Sequence, residues 1–347
     1  MATATQPVLE INNLSVEFHT HEGVVKAVNN LSYTVMPGET MGIVGESGSG
    51  KSVSSMAVMG LLPMPPAVIG PQSSIKVLGK EITKLSTAEM RHFRGNVMSM
   101  IFQDPMTCLN PYRRVDTQMI EGLLFHKKIS KREALKKSEE MLEYVHIPEA
   151  AARLKAYPHE LSGGMRQRVM IAMALTCDPK LIFADEPTTA LDVTVQAQIM
   201  KLFEDIKQRF GTSIVMISHN LGVISTQCRN ILVMYGGQMM EYGSPEAIFE
   251  KASHPYTLAL RRSIPDLHPQ EQNRGKLETI EGQPPNLMKL PSGCPFSPRC
   301  RHRMDGCENP GIALRETTEN HFVRCLWQGP HQGPQKTANQ GVQNVFS

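Results

Sequence analysis

The hydrophobic and polar positions of the chain alternate between short apolar runs and longer segments with helical periodicity. Three short runs are rich in apolar residues and bounded by Gly, Pro or Asp, which is typical of strands buried in a parallel sheet: 40–44, 180–186 and 212–217. Periodic segments with capping residues at their ends predict helices at 51–61, 130–145, 166–175 and 193–209. The helix at 193–209 joins two of the apolar runs. Because such a connection requires parallel strands, the pattern predicts an α/β fold.

Other parts of the pattern predict antiparallel strands and loops. Residues 8–34 precede the first buried run and are predicted to form antiparallel strands. Residues 231–235 and 238–242 are predicted to form a hairpin that turns at two adjacent glycines. The stretch 61–72 is rich in Pro and is predicted to be a loop.

The segment between the first buried run and its helix has the spacing of a phosphate-binding loop, G-x-x-x-x-G-K-S. It consists of Gly45, Glu46, Ser47, Gly48, Ser49, Gly50, Lys51 and Ser52. Backbone N–H groups of such a loop surround the phosphates of a nucleotide, and its glycines allow the close approach. Lys51 is expected to neutralise the β- and γ-phosphates and Ser52 to bind Mg²⁺, at the positive end of a helix. A chance match is disfavoured by the strand before the loop and the helix after it.

Acidic and imidazole side chains follow the other two buried runs. Asp185 and Glu186 end one run, and His219 follows the other. Because parallel strands end at one edge of a sheet, where α/β proteins bind ligands, these side chains are expected near the phosphate loop. Asp185 is then expected to hold Mg²⁺, Glu186 to orient or deprotonate water, and His219 to contact the γ-phosphate. The alternatives are a solvated acidic turn and a structural histidine.

A second glycine-rich segment, Ser162-Gly163-Gly164, precedes the predicted helix at 166–175. Ser162 suits the N-cap, and two glycines at a helix N-terminus form a potential phosphate site. One chain would then carry two phosphate-binding loops, so that one ATP could lie between two chains whose loops face each other. The alternative is an ordinary capped helix.

Together these segments resemble the nucleotide-binding subunit of an ABC transporter. Residues 45–52 match its Walker A loop, 161–165 its signature motif, and Asp185 with Glu186 its Walker B acid and catalytic glutamate. The resemblance implies a P-loop NTPase (ABC ATPase) with a RecA-like core, an antiparallel β subdomain and an α-helical subdomain that carries the signature. It also implies ATP and Mg²⁺ as ligands and ATP hydrolysis as the reaction.

The same resemblance implies roles for further residues. Gln103 matches the Q-loop glutamine, which senses Mg²⁺ and the membrane subunit, and Asp192 ends the D-loop. His219 matches the switch histidine. Phe18 is a loose match to the aromatic residue that stacks on adenine, and a core phenylalanine is the alternative. Ser52, Gln103 and Asp185 are the implied Mg²⁺ ligands.

Several stretches narrow the resemblance to the oligopeptide/dipeptide importer branch, and within it to the oligopeptide-type subunit: 45–55, 102–111, 157–174, 184–200 and 254–257. This branch implies peptide import across the bacterial inner membrane, with the chain bound at its cytoplasmic face. The implied partners are a second, non-identical ATPase subunit, two transmembrane permease subunits and, indirectly, an extracytoplasmic binding protein. A nickel or other small-solute importer of the branch is the alternative.

The implied domain organisation is a nucleotide-binding domain over 1–262, with its helical subdomain at about 104–175. An extension over 263–328 follows, beginning with a polar linker. Residues 329–347 are rich in Gln, Gly and Asn and are predicted to be a disordered tail.

The extension contains four of the seven cysteines: Cys294, Cys300, Cys307 and Cys325. Because disulfides are disfavoured in the cytosol, four cysteines this close suggest a metal site. The short C-x₂₋₄-C pairs usual for zinc are absent from these spacings, and arginines flank the cysteines, which would offset the negative charge of a cluster. The resemblance agrees with a [4Fe–4S] cluster. Structural zinc and unliganded thiols are the alternatives.

Composition excludes several other classes. Charged residues make up 20% of the 347 residues and the net charge is +3, so neither nucleic acid nor another strongly charged partner is indicated. No apolar run is long enough to span a membrane, and the N-terminal residues do not form an apolar signal core, so the chain is expected to stay in the cytosol. ABC ATPases of DNA repair carry long coiled coils, and those of translation carry two cassettes. This chain has no sustained heptads and one cassette.

Overall fold

The computed structural model describes residues 6–189, 191–263 and 279–329. These residues form two compact units that alternate along the chain. The first unit comprises 36–39 and 84–217 with the described residues up to 8, and the second comprises 9–35, 40–83 and the described residues from 218 onward. The linker predicted at 266–275 and the tail from residue 330 lie outside the described residues. The domain bounds implied by the sequence stay a prediction.

The strands are β1 (Leu9–Thr20), β2 (Gly23–Val35), β3 (Thr40–Val44), β4 (Ala67–Ile69), β5 (Ser74–Val77), β6 (Lys80–Glu81), β7 (Met98–Ile101), β8 (Leu181–Asp185), β9 (Ser213–Ser218), β10 (Asn230–Tyr235), β11 (Gln238–Gly243), β12 (Arg315–Thr318) and β13 (His321–Val323). The α-helices are α1 (Lys51–Met59), α2 (Thr87–Phe93), α3 (Pro105–Cys108), α4 (Val115–His126), α5 (Lys131–Tyr144), α6 (Ala150–Arg153), α7 (Gly163–Leu175), α8 (Val193–Phe210), α9 (Leu221–Ser225), α10 (Pro245–Glu250) and α11 (Pro255–Arg262). Short 3-10 helices lie at Pro158–Glu160 and Ser297–Arg299.

The first unit is built on three parallel strands. β8 lies between β7 and β9, with Leu181 opposite Met98 on one side and Ser213 on the other. All three strands are buried along their length because helices cover the sheet, which explains their apolar sequences. α8 connects β8 to β9 and buries one apolar stripe that includes Phe203 and Ile206. The predicted βαβ unit is therefore confirmed.

Helix ends in this unit follow the capping residues of the sequence. Ser130 and Glu133 form a capping box at the start of α5, because each side chain accepts a hydrogen bond from the other residue's backbone N–H. Gly211 ends α8 in the left-handed conformation that glycine adopts at low cost. The predicted helices at 130–145 and 193–209 are confirmed to within a residue or two at each end.

The second unit contains an antiparallel sheet and a mixed sheet. β1 pairs with β2, β4 and β5 in antiparallel register, which confirms the strands predicted at 8–34. The loop predicted at 61–72 is wrong in part, because 67–69 forms β4 and pairs with β1. Three of its prolines, Pro63, Pro65 and Pro66, precede the strand and Pro71 follows it, so the apolar residues between them are free to pair.

In the mixed sheet, β10 runs parallel to β3 and antiparallel to β11, which confirms the predicted hairpin. The C-terminal extension continues this sheet. β13 pairs with β11, with Val323 opposite Glu241, and β12 pairs with β13. Sequence reasoning did not predict these two strands. Within the described ranges, no helix combines the length and the apolar character that crossing a bilayer requires.

A buried carboxylate fastens three segments of the second unit. Glu241 on β11 is fully buried and accepts hydrogen bonds from the backbone N–H groups of Ser253 and His254, at 2.6 and 3.0 Å. Its Oε1 also lies 2.7 Å from Nε2 of His321 on β13, which is 1% exposed. Burial of a carboxylate is tolerated only where donors surround it. Glu241 therefore ties the extension and the start of α11 to the sheet.

We expect Glu241→Ala to lower the free energy of unfolding by about 3 kcal/mol, because the buried donors it serves would lose their acceptor. Chemical denaturation of the full chain measures this. Glu140→Ala is the control, since that carboxylate is exposed and pairs with the exposed Lys136 at 3.6 Å; it should leave stability close to wild-type. Equal effects of the two substitutions would contradict the role of Glu241.

Candidate active site

The phosphate-loop segment runs from the end of β3 to the start of α1 and lies against backbone of its own unit. Gly45 and Gly50 have φ angles of +155° and +98°. A Cβ on Gly45 would lie 2.2 Å from the carbonyl oxygen of Met234, and one on Gly50 would lie 2.3 Å from that of Ala27. Only glycine fits at these two positions, so the glycines of the motif have the structural role that a tight anion-binding loop requires.

Lys51 directs its amino group back into the curve of this loop. Its side chain is buried, and Nζ donates to the carbonyl oxygens of Gly45 and Glu46 at 2.7 and 2.9 Å. Oγ of Ser49 lies 3.4 Å away. The ammonium group is thus enclosed by loop oxygens, a position from which it can serve an anion bound to the loop N–H groups.

Glu46 carries contacts that sequence reasoning missed. Arg299 donates from its two Nη atoms to the two carboxylate oxygens of Glu46, at 2.6 and 3.1 Å. The backbone N–H of Glu46 donates to the hydroxyl of Tyr256 at 2.8 Å. Tyr256 belongs to the 254–257 stretch that marks the importer branch, but no local pattern indicates that it contacts the phosphate loop.

Glu186 is the centre of a polar cluster in the first unit. It directly follows β8 and has a φ angle of +46°, a conformation that costs energy for a residue with a side chain. Nε2 of Gln103 and Oγ1 of Thr189 both donate to its Oε2, at 3.1 and 2.8 Å. Its N–H donates to the Ile217 carbonyl at 2.9 Å, which anchors the turn to β9. Two predicted residues, Gln103 and Glu186, are therefore brought together, and Thr189 joins them.

Asp185 is the last residue of β8. It is 5% exposed and lies opposite Ile217 of β9. A carboxylate this buried at the end of a parallel strand fits a divalent cation, whose charge would offset the cost of burial. Together with the Ser52 hydroxyl and Gln103, it belongs to the predicted Mg²⁺ ligand set, which stays a prediction.

The signature residues form the exposed start of α7. Ser162 caps this helix, with its hydroxyl accepting from the N–H of Met165 at 3.3 Å. Ser162 and Gly163 are exposed, and a Cβ on Gly163 would meet no atom within 4 Å. Gly164 lies closer to α8, because its Cβ would be 3.3 Å from a methyl group of Val195. Open space over the first glycine is what a site completed from outside the chain would need.

Three other predicted site residues are Asp192, His219 and Phe18. Asp192 caps α8 and accepts from the N–H of Val195 at 2.9 Å, while Ala190 of the same motif lies outside the described residues. His219 directly follows β9 and is exposed. Phe18 is half-buried on β1, opposite Val25 on β2. Their predicted nucleotide contacts stay predictions.

The prediction of a [4Fe–4S] cluster on Cys294, Cys300, Cys307 and Cys325 is wrong, and so is the zinc alternative. The four cysteines line one small cavity and are free thiols. Within 6–189, 191–263 and 279–329, however, no group of three or more His, Cys, Asp or Glu side chains has an arrangement that could hold a metal ion. Burial raises the pKa of Cys294 to about 11 and of Cys325 to about 12, which favours thiols over the thiolates that metals bind.

The arginines that flank the cysteines contact carboxylates and backbone carbonyl groups. Arg299 pairs with Glu46, Arg301 with Glu281 at 3.0 Å and Arg303 with Glu308 at 2.6 Å. The side chain of Arg324 donates to backbone carbonyl groups of Met239 and Ile312 at 3.1 and 3.2 Å. The arginines that the sequence analysis assigned to offsetting cluster charge therefore form ion pairs and contacts with backbone carbonyl groups.

The chain matches two protein-family models. Residues 28–189 match the ABC transporter model, and residues 240–307 match the C-terminal region of oligopeptide/dipeptide transporters. The first range contains the phosphate loop, Gln103, the signature and Glu186. The second contains Tyr256 and Arg299.

Curated relatives resemble the chain over nearly its full length. The oligopeptide transport ATP-binding protein OppD of Haemophilus influenzae is 53% identical over 92% of this chain and 97% of its own. OppD of Escherichia coli is 51% identical, over 93% and 96%. The dipeptide transport ATP-binding protein DppD of Bacillus subtilis is 48% identical, over 93% and 95%.

Solved structures share the fold. The dimeric post-hydrolysis structure of the ATP-binding cassette MJ0796, bound to ADP and Pi, has a TM-score of 0.61 and 25% identity, covering 68% of this chain and 98% of that one. The structure of cbiO1 from Clostridium perfringens, part of the ABC transporter complex cbiONQ, has a TM-score of 0.60 and 26% identity, covering 71% and 92%. The predicted ABC ATPase fold is confirmed. With its motifs, its two matched regions and these relatives, the chain belongs to the ATP-binding subunits of ABC transporters, in the oligopeptide/dipeptide branch.

Proposed function

We propose that this chain hydrolyses ATP to power the import of oligopeptides or dipeptides across the bacterial inner membrane. The observation that carries the proposal is the polar cluster in which Gln103 and Thr189 hold Glu186, in a chain whose relatives are named peptide-transport ATP-binding proteins. A subunit of this kind acts from the cytoplasmic face of the membrane. Purified with its permease partners in vesicles, it should couple ATP hydrolysis to peptide uptake.

The residues of the phosphate loop, 45–52, are proposed to bind the ATP phosphates. Its glycines keep side chains out of the space where backbone N–H groups meet phosphate oxygens, and Lys51 exchanges its loop carbonyl contacts for the β- and γ-phosphates. Phe18 is proposed to stack on adenine. Bound Mg²⁺ neutralises phosphate charge, and Ser52, Gln103 and Asp185 are the residues proposed to hold it.

Glu186 is proposed to act on the attacking water. Hydrolysis forms a bond between the water oxygen and the γ-phosphorus and breaks the bond from that phosphorus to the β–γ bridging oxygen, yielding ADP and phosphate. Glu186 orients the water and accepts its proton, and the contacts from Gln103 and Thr189 fix the carboxylate for that task. His219 is proposed to stabilise the transferring γ-phosphoryl group.

The exposed signature is proposed to serve a second subunit. Ser162, Gly163 and Gly164 lie at the start of α7 with open space over Gly163. They would contact ATP bound to the phosphate loop of a partner ATPase, with Asp192 near the same interface. The partner is proposed to be a non-identical ATPase subunit, and the pair to bind two transmembrane permease subunits that receive peptide from an extracytoplasmic binding protein.

Lys51→Met is expected to raise the dissociation constant for Mg-ATP roughly 10- to 100-fold, because the phosphates lose a charged hydrogen-bond donor. Equilibrium binding to the full chain measures the change. Lys155→Met, which removes the charge of an exposed lysine, is the control and should bind ATP as the wild-type does. A dissociation constant within twofold of wild-type for Lys51→Met would exclude the proposed phosphate contact.

Glu186→Gln is expected to retain ATP binding and to lower the turnover number at least about 100-fold, since the amide cannot accept a proton from water. Phosphate release by the assembled transporter and ATP binding are the two measurements. Glu204→Gln makes the same change on an exposed position of α8 and should keep normal turnover. Hydrolysis near the wild-type rate in Glu186→Gln would remove Glu186 from the reaction.

A further inference from the structure

Arg299 lies in the C-terminal extension, 253 residues from the loop residue that it contacts. Its side chain is 6% exposed, and all five of its N–H donors have acceptors. Two of these donors contact the Glu46 carboxylate in a bidentate pair, and the others contact the hydroxyl of Tyr235 at 3.0 Å and the carbonyl oxygens of Ile280 and Glu281 at 3.0 and 2.8 Å. Because all of its hydrogen bonds must be satisfied together, the guanidinium group is restricted to one position, and the bidentate pair then fixes the Glu46 carboxylate.

Glu46 is fixed from a second direction. Its N–H donates to the hydroxyl of Tyr256, which is fully buried against Tyr235 and Phe296, with ring centroids 4.6 and 5.3 Å apart. Glu241, through the N–H groups that precede α11, sets where that helix begins. Arg299 therefore holds the side chain of Glu46 and Tyr256 holds its backbone N–H, and both of these residues follow β10 in the chain.

The charge of Glu46 makes this arrangement consequential. A carboxylate inside a loop that binds phosphates would repel the ligand, and like charges at short range interact strongly where water is excluded. The pairing with Arg299 cancels that charge, and the two-pronged geometry keeps the carboxylate turned toward the extension.

We propose that Arg299 is a positioning residue for nucleotide binding, by which the C-terminal extension holds and neutralises Glu46 and so sets the affinity of the phosphate loop for ATP. The proposal rests on the proposed role of residues 45–52. It gives the extension a function in the ATPase cycle.

The test is a double-mutant cycle of charge-neutralising substitutions in the full chain: Arg299→Gln, Glu46→Gln and the double variant. We expect Arg299→Gln to raise the dissociation constant for Mg-ATP about tenfold at low ionic strength, and by less at high salt, because Glu46 is left unpaired. Glu46→Gln leaves Arg299 as an unpaired cation beside the loop and should lower the dissociation constant, and the double variant should return to within about threefold of wild-type. In the assembled transporter, Arg299→Gln should raise KM for ATP by more than it lowers kcat.

Arg301→Gln is the matched control. It removes the neighbouring arginine, whose pair with Glu281 is exposed, and should leave the dissociation constant unchanged. The melting temperature of each variant without nucleotide is recorded alongside. A purely structural role for Arg299 would lower the melting temperature of Arg299→Gln while its ATP affinity matched wild-type, and that result overturns the proposal.

Two further outcomes are distinguishable. Should Arg299→Gln not fold, Arg299→Lys keeps the positive charge but not the bidentate contact. Its dissociation constant should then be about threefold above wild-type, and an unchanged value would refute the inference. Failure of the wild-type chain to bind Mg-ATP at all would instead reject the function proposed for the loop, and the positioning role with it.

Discussion

A buried ammonium group enclosed by its own loop is the interaction on which the candidate site depends. Lys51 is buried with its charge, and the carbonyl oxygens of Gly45 and Glu46 compensate it. This geometry is possible only where the backbone curves tightly enough to bring those oxygens back over the start of α1. Because the loop also presses against the carbonyl groups of Ala27 and Met234, the curve leaves no space for side chains at Gly45 and Gly50. Packing and anion binding thus impose the same residue types.

The same constraint explains why the C-terminal extension matters to the second unit. The shape of the loop is fixed by contacts with residues outside it, and Glu46 makes two of these contacts, with Tyr256 and with Arg299. The contact from Arg299 depends on the extension being attached to the sheet. The attachment comes from β13 pairing with β11 and from the buried contact of Glu241 with His321. A series of buried polar contacts therefore connects the edge of the sheet to the phosphate loop.

The sequence predicted what local patterns encode. The bounds of β3 and the start of α1 follow from apolar runs and glycine spacing, and Ser130 marks the start of α5 through its capping box. The contact between Gln103 and Glu186 could have been predicted from the sequence, because both residues follow buried strands of one parallel sheet. β12 and β13 could not be predicted from local pattern, because both are short and β12 is polar along its length. They are positioned through the pairing of β13 with β11, about 80 residues away in the sequence. Nor could spacing reveal the pair of Glu46 with Arg299.

The arginines of the extension show why composition alone misassigns charge. Arginines among cysteines suit a cluster that needs positive charge around it, yet a guanidinium group satisfies any geometry that offers oxygen acceptors. Which one it finds depends on how the chain folds back on itself, and here Arg299 finds a carboxylate in the phosphate loop. That carboxylate is tolerable in an anion-binding loop only while a cation is paired with it. Glu46 and Arg299 are consequently one functional unit, although they are 253 residues apart in the sequence. Replacing either by a neutral residue alters the charge near a bound phosphate.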